Sequence, residues 1–230
     1  MLTRHCFSAL VPAALLSLTS PGFSQDTDEA AWFAFGGVGR VDNFGSGRVR
    51  WWFDAHARFF DESNGFETSI IRPGLGYDLT ENSTAWLGYA WIRNDPIPGG
   101  FNEHRIWQQF TWGRPYDWGT PLLRTRFEQR FDDRGSDVGL RLRQFARWTR
   151  PVTSGSQLGW RVWDEVFIDL NDTTWGQDTG VSQNRAFAGL GWSFDSRFTL
   201  EFGYLNQHVL RESAEDSSNH VLALTLLGSF

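Results

Sequence analysis

The segment from Leu122 to Phe131 alternates between charged and largely apolar side chains, and this alternation constrains the fold of the whole chain. Its two faces carry Arg124, Arg126, Glu128 and Arg130 on one side and Leu123, Thr125, Phe127, Gln129 and Phe131 on the other. A period of two residues predicts a β-strand. Because an Arg that faces lipid at the bilayer centre costs roughly 2–4 kcal/mol, a membrane barrel must turn the charged face inward, where Arg and Glu can pair. The segment therefore predicts one strand of a barrel with a charged interior.

The same alternation recurs along the chain in units of about ten residues, enough for a tilted strand to cross a bilayer. The predicted strands are Arg48–Phe60, Phe66–Tyr77, Ser83–Arg93, Glu103–Trp112, Leu122–Phe131, Val138–Trp148, Leu158–Ile168, Gln183–Phe194, Thr199–Arg211 and Asn219–Phe230. Ala31–Arg40 also has a strand pattern and would make the count odd. Since single-chain bacterial barrels usually have an even count, we expect an all-β, antiparallel, up-and-down transmembrane β-barrel of ten or twelve strands.

The connections between these strands are of two kinds, as expected if one end of the barrel faces the periplasm and the other faces outward. The short turns are Leu79–Asn82, Arg150–Ser154 and Asp195–Arg197, and the longer or more acidic links are Asn94–Asn102, Asn171–Ser182 and Glu212–Ser218. We expect the short turns on the periplasmic side and the longer links on the outer side.

The N-terminus predicts export from the cytoplasm. Arg4 precedes a short, mostly apolar run, Phe7–Leu18, which small residues follow. This pattern indicates a secretory signal peptide over residues 1–24, followed by a single barrel domain over residues 25–230. Cleavage would remove Cys6, the only cysteine. No later run reaches the roughly 18 apolar residues that a spanning helix needs, so strands must carry any membrane crossing.

Composition and the last residue favour the outer membrane of a Gram-negative bacterium. Aromatic residues make up 16% of the chain and include 13 Trp, a residue type favoured at membrane interfaces. The net charge of −6 argues against nucleic acid as a partner. A final alternating strand that ends in Phe230 has the form of an assembly signal for outer-membrane barrels. We therefore expect outer-membrane lipids and the barrel-assembly machinery as partners.

The polar residues of the predicted inner faces form an expected luminal network. Its members are Arg72, Glu103, Arg105, Gln109, Arg124, Arg126, Glu128, Arg130, Arg141, Arg143, Arg161, Glu165, Gln183, Arg185, Glu201 and Gln207. The expected partners of Glu128, at its centre, are Arg105, Arg141 and Arg143. The network either fills and braces a narrow barrel or, because Arg exceeds Glu, makes a lumen that attracts anions. The predicted function is a narrow channel or binding barrel for small anionic solutes.

Other classes of function have weaker support in the sequence. A lipid hydrolase or acyltransferase would need a nucleophile beside a base, and His104, the most suggestive histidine, has no Ser-containing motif near it. Acidic pairs such as Asp132 and Asp133 lack the ligand spacing of a calcium loop, so no metal site and no cofactor are predicted. A barrel that acts structurally or adhesively through its outer loops stays open as an alternative. A soluble lipid-binding barrel would require a polar exterior.

A set of short motifs runs along the chain, namely Arg72–Tyr77 with Gly88 and Tyr89, Glu103–Gln109, Arg124–Arg130, Arg141–Arg143, Glu165, Gln183–Arg185, and Gly203 and Tyr204 with Gln207. Together these motifs resemble domain-of-unknown-function family 2490, a group of uncharacterised outer-membrane barrel proteins. The resemblance covers essentially all of the chain after the predicted signal peptide. It implies the fold and the location and does not imply a chemistry.

Overall fold

The computed structural model of the protein describes residues 26–41, 47–61, 65–95, 99–211 and 215–230. The predicted signal peptide lies outside these ranges. Within them, no helix is long and apolar enough to cross a membrane. The described residues form eleven β-strands joined by turns and loops.

The strands follow one another along the chain, and each predicted segment overlaps one of them, with ends that differ by a few residues. In order they are β1 (Asp26–Arg40), β2 (Val49–Phe60), β3 (Gly65–Thr80), β4 (Ser83–Asn94), β5 (Phe101–Gly113), β6 (Thr120–Asp132), β7 (Val138–Pro151), β8 (Leu158–Asp169), β9 (Gly180–Ser193), β10 (Phe198–Val209) and β11 (Ser217–Ser229).

The strands form a closed up-and-down barrel in which β1 pairs with β11. Every pair of strands that are neighbours in sequence is antiparallel. In contrast, β1 and β11 run parallel, from the pair Asp26–Ser217 to the pair Val38–Ser229. Strand directions that alternate around a closed ring require an even number of strands, so eleven strands require one parallel pair. The prediction of ten or twelve strands was wrong, because Ala31–Arg40 lies in β1 and the count is eleven.

The odd count places the first and last strand residues at opposite ends of the barrel, which we call the Asp26 end and the Phe230 end. The three predicted short turns lie at the Phe230 end, and the described parts of the three predicted longer links lie at the Asp26 end. Residues 96–98 and 212–214 of these links lie outside the described residues. The link between β8 and β9, residues 170–179, turns inward and buries Trp175 and Gln177. This link therefore narrows the lumen at the Asp26 end.

Alternation along each strand separates an apolar outer face from a mixed inner face. Leu222, Leu75 and Leu87 are among the most exposed large apolar side chains, at 68%, 63% and 58%. In β4, whose orientation the sequence left open, Trp86 and its alternate residues face inward, because Trp86 is buried while Leu87 is exposed. On the outer face, polar side chains bind one another, as in the reciprocal amide pair of Gln108 and Gln129.

Inner-facing glycines make room for large inner side chains. A Cβ atom on Gly88 would collide with the indole of Trp107, which is fully buried. A Cβ on Gly189 would lie 2.7 Å from Cζ of Phe187. Both rings therefore lie flat against strand backbone, the close approach that glycine in a strand permits. These packed aromatic rings fill part of the barrel between the charged residues.

Candidate functional site in the barrel lumen

The network of charged residues in the lumen is centred on Glu128, which is buried. Nη1 of Arg105 lies 3.0 Å from Oε2 of Glu128, and Nη1 of Arg143 lies 2.8 Å from Oε1. Nη1 of Arg126 is more distant, at 3.7 Å from Oε1. Three guanidinium groups thus surround one carboxylate, and the carboxylate joins β5, β6 and β7 on their inner faces.

Arg141, which the sequence predicts as a partner of Glu128, binds Asp169 instead. Its Nε lies 2.5 Å from Oδ1 of Asp169. Arg141 is a direct cross-strand neighbour of both carboxylates, through β6 on one side and β8 on the other. Glu128 already has two closer guanidinium partners, so Arg141 takes the other carboxylate. The expected grouping is therefore wrong for Arg141.

Glu103 forms a second centre of the network, nearer the Asp26 end. Its carboxylate accepts hydrogen bonds from Nε of Arg105 at 2.8 Å and from Nε of Arg130 at 2.5 Å. Nη1 of Arg130 also donates to Oε1 of Gln177 at 2.9 Å, so the inward-turning link is tied to the wall. Paired, hydrogen-bonded charges of this kind fix the register and shape of a narrow barrel.

Glu165 and Glu201 anchor the network nearer the Phe230 end. Nη2 of Arg124 lies 2.6 Å from Oε1 of Glu165, and Arg143 binds the same oxygen. Glu201 pairs with Arg161 at 3.0 Å and with Arg147.

The other predicted members of the network also lie on the inner face. Gln109 accepts from Nε of Arg126 at 2.7 Å, and Gln207 accepts from Nδ2 of Asn219 at 3.3 Å. Nε of Arg72 lies 3.6 Å from Oδ1 of Asp54. The remaining members are Gln183 and Arg185, which are hydrogen-bonded to each other at 3.4 Å.

Two cavities occupy the lumen. The larger has a volume of about 450 Å³ and reaches the Phe230 end, where Arg197 and Ser229 line it. The smaller, of about 240 Å³, lies toward the Asp26 end and is lined by Phe101 and Arg134 among others. The residues that line both cavities and separate them are Arg58, Arg72, Arg143 and Arg185. We call these four residues the arginine partition.

Two members of the arginine partition have no carboxylate partner. Among the described residues, no Asp or Glu lies within ion-pair distance of Arg58 or Arg185. Both guanidinium groups lie over the indole of Trp32, at 4.0 Å and 4.9 Å from its ring centre. Cation–π contact with Trp32 therefore takes the place of ion pairing.

The larger cavity exists because the walls of the barrel differ in side-chain size. The inner faces of β1 and β11 carry Ala34, Gly36, Val38, Ala223 and Thr225, all of which line the cavity. We call this part the small-residue wall. The inner faces of β5–β8, which we call the charged wall, carry long Arg side chains and large aromatic rings. These cannot fill the space that the small residues leave.

Several functional residues were not among the predicted network. Arg58, Asp54 and His56 follow the same alternation in β2, and the hydrogen-bonded pair of His56 and Asp54 (2.9 Å) lines the larger cavity. Asp169 lies four residues beyond Glu165 on the same face, so extending the predicted strand by one residue past Ile168 would have found it. No pattern in the sequence pointed to Trp32, because its role depends on contacts with Arg58 from β2 and Arg185 from β9.

Two histidines lie outside the lumen, hydrogen-bonded to tyrosines of the outer face. His104 lies on the outer face, where Nδ1 is hydrogen-bonded to the hydroxyl of Tyr89. His220 makes the matching contact with Tyr204 at 2.6 Å on the other side of the barrel. Among the described residues, no group of three or more His, Cys, Asp or Glu side chains could hold a metal ion.

Comparisons with known proteins identify the family to which the chain belongs. A protein of Methylorubrum extorquens, itself described as uncharacterised, is 33% identical over 190 residues, which are 80% of this chain and 82% of that protein. Among solved structures, the siderophore receptor PirA from Pseudomonas aeruginosa matches 74% of this chain with 11% identity and a TM-score of 0.30. This chain covers 32% of that receptor's length. Residues 29–219 match the family described as "Protein of unknown function (DUF2490)", and the chain belongs to that family.

Proposed function

We propose that this protein is an outer-membrane barrel of the Gram-negative envelope that binds small anionic solutes in its lumen. The observation that carries the proposal is the charge of the larger cavity. Its lining includes eight Arg but only three acidic residues, Asp54, Glu165 and Glu201. An enclosed space with such an excess of positive charge concentrates anions.

The outer surface supports a location in a membrane. Large apolar side chains such as Leu222, Leu75 and Leu87 are exposed around the barrel, an arrangement that is unfavourable in water and favourable in lipid. Polar side chains on this surface are hydrogen-bonded in pairs, including Thr125 with Gln144 at 3.0 Å. Such pairing is what an apolar environment requires. Outer-membrane lipids are therefore the proposed surroundings of the outer face.

Export and assembly complete the proposal. The signal peptide over residues 1–24 would direct the chain to the periplasm, and the final strand with Phe230 would present it to the barrel-assembly machinery. In the barrel, the backbone N–H of Phe230 donates to the carbonyl of Val38 at 2.9 Å. Its ring lies 5.5 Å from that of Trp51. Phe230 would thus serve first in recognition by the assembly machinery and then in closure of the barrel.

A binding barrel has better support than an open channel. The arginine partition separates the two cavities, and the inward-turning link with Trp175 narrows the Asp26 end. We expect purified protein in planar bilayers to show little or no conductance. A steady anion-selective conductance would favour the channel, and a cation-selective conductance would contradict an anion-attracting lumen altogether.

Anion binding can be measured directly on the purified barrel by calorimetric titration with acetate, phosphate and chloride. Arg185→Gln should weaken binding about tenfold, because it removes a charge-assisted hydrogen-bond donor. Arg114→Gln is the matched control, since it removes one positive charge from an exposed position outside the lumen. Equal binding by both variants would contradict a luminal site.

The proposed location has its own test. Cell fractionation should place the mature protein with the outer membrane, and the folded barrel should change its gel mobility on heating. Recovery in the soluble periplasmic fraction would contradict the membrane location. The charge of the cavity could then not be explained by a position in the membrane.

A further inference from the structure

The unpaired arginines and the apolar side of the larger cavity point to the class of ligand. We infer that the cavity binds an amphipathic carboxylate, with its carboxylate held by Arg58 and Arg185 and its apolar part against the small-residue wall. This inference rests on the proposed anion-binding function. It adds that a bare inorganic anion is the poorer ligand.

The charged end of this site is built by three side chains from β1, β2 and β9. Arg58 and Arg185 lie over the ring of Trp32, at 4.0 and 4.9 Å from its centre. Nε of Arg58 and Nε1 of Trp32 are buried donors that have no hydrogen-bond acceptor. Two guanidinium groups without a carboxylate are costly to keep together in a confined space. A carboxylate ligand would offset one of the two positive charges and could accept from both groups in the planar, two-oxygen geometry that guanidinium groups favour.

The apolar end lies along the barrel wall toward the Phe230 end. From Trp32, which pairs with Arg58 across β1 and β2, the inner face of β1 continues through Ala34 and Gly36 to Val38. Six residues of strand span roughly 20 Å. On β11 the matching positions include Leu227, beside Gly36, and end at Ser229, beside Val38, and both residues line the cavity. The site thus has a cationic end at the arginine partition and an apolar side that continues away from it.

The size of the cavity favours a ligand larger than a simple ion. Its volume of about 450 Å³ falls in the range of small-molecule sites, roughly 300–1,000 Å³. A small ion displaces only about as much space as a few water molecules, each of which occupies about 30 Å³. Only a ligand with an apolar body would use the wall formed by Ala34, Val38 and Ala223. Four of the other arginines that line the cavity are held by Glu165 or Glu201, and Arg72 lies near Asp54. Arg197 is exposed at the Phe230 end, so Arg58 and Arg185 are the buried pair available to a carboxylate at the arginine partition.

The test is a homologous series of carboxylates, from acetate to hexanoate, titrated into the purified full-length barrel and followed by calorimetry. Burial of each added methylene should tighten binding about fourfold until the apolar part is full. Phosphate should bind no more tightly than acetate. Arg58→Gln should weaken every member of the series about tenfold. Hexanamide, which is matched in size but uncharged, serves as the control for partition into detergent.

A second pair of variants tests the apolar end separately. Ala223→Leu should abolish most of the gain in affinity from acetate to hexanoate, because the larger side chain fills the space for the apolar part. Ala186→Leu is the matched control, because Ala186 lies on the outer face of β9 between inward-facing Arg185 and Phe187. Heat-modifiable gel mobility verifies that each variant is folded. If Arg58→Gln does not fold, Arg185→Gln and the slope of the series still decide the question.

The outcomes separate the inference from the proposed function. Arg58-dependent binding of acetate and phosphate with no gain along the series would overturn the amphipathic ligand while retaining an anion-binding lumen. Absence of any anion binding would overturn both. Hexanoate binding that Arg58→Gln and Ala223→Leu leave unchanged, or that hexanamide matches, would mean partition into detergent and would likewise overturn the inference.

Discussion

The charged wall and the small-residue wall follow the same alternation and have opposite effects on the lumen. On the charged wall, Glu128 draws Arg105 and Arg143 into contact, and the space is filled. On the small-residue wall, the short side chains of Ala34 and Ala223 line the larger cavity and leave it open. One wall therefore holds the shape of the barrel, and the other determines what can enter it.

The difference shows that binding and stability are assigned to different strands. Ion pairs in a confined interior contribute little net stability compared with apolar packing, but removing one partner leaves a buried charge without compensation. Changes on the charged wall should therefore affect folding first. Substitutions on the small-residue wall should first affect which ligands bind in the lumen.

The largest effect is expected for Glu128→Gln. Loss of this carboxylate leaves Arg105 and Arg143 with one partner fewer each, and the free energy of unfolding should fall by about 3–5 kcal/mol. Urea unfolding in lipid vesicles measures the change, and Glu81→Gln, in an exposed turn, is the matched control. A Glu128→Gln barrel that assembled normally and lost only its binding activity would reverse the assignment of the two walls.

A smaller effect is expected where a methyl group is added to the packed region. Gly88→Ala should cost about 1–3 kcal/mol, because its Cβ would collide with the buried indole of Trp107. Gly36→Ala on the small-residue wall should be nearly neutral, since its Cβ would meet only Cδ2 of Leu227, at 3.1 Å. Urea unfolding of the two variants in parallel measures the contrast. Equal losses would mean that the two walls are packed alike.

Phe230→Ala should lower stability by about 1–2 kcal/mol, because the ring is only half buried and contacts Trp51 and Phe198. Phe202→Ala, at a similarly exposed position of the outer face, is the control. The yield of folded barrel after assembly should fall more for Phe230→Ala than its unfolding free energy explains. If both variants assemble equally well, Phe230 acts only in packing.

The smallest effect is expected in the link between β8 and β9. The hydroxyl and the backbone N–H of Thr179 donate to Asp172 and hold the pKa of that carboxyl below its ordinary value. A lowered pKa stabilises the folded link above the ordinary pKa of about 3.9, and this contribution is lost as the pH falls through the lowered pKa. The amide chemical shift of Thr179 should report the titration, and Asp172→Asn should abolish it. A midpoint at or above 3.9 would contradict the hydrogen bonds.

Much of the fold could be predicted because alternation depends only on local sequence. A period of two residues identified every strand and showed, for Arg124 to Arg130, which side chains share a face. It could not show how the strands pair where the barrel closes, because a strand has the same pattern whether its neighbour is parallel or antiparallel. Base rates for barrels then favoured an even count, and the pairing of β1 with β11 was missed.

The candidate site was less predictable because it depends on contacts across the barrel. Arg141 faces two carboxylates, and only the observed geometry assigns it to Asp169. Trp32, Arg58 and Arg185 come from strands far apart in sequence, so nothing local joins them. The cavity likewise depends on a difference in side-chain size between the two walls. These walls come together only when the barrel is closed.

The parallel pairing of β1 with β11 also governs the sidedness of the molecule. In a barrel with only antiparallel pairs, both chain termini emerge on the same side; here Asp26 and Phe230 are separated by the height of the wall, roughly 35 Å for strands of this length and tilt. Labels placed beside residue 26 and residue 230 would therefore report two different compartments. One orientation of the barrel in a vesicle exposes the first label to an impermeant quencher, and the opposite orientation exposes the second.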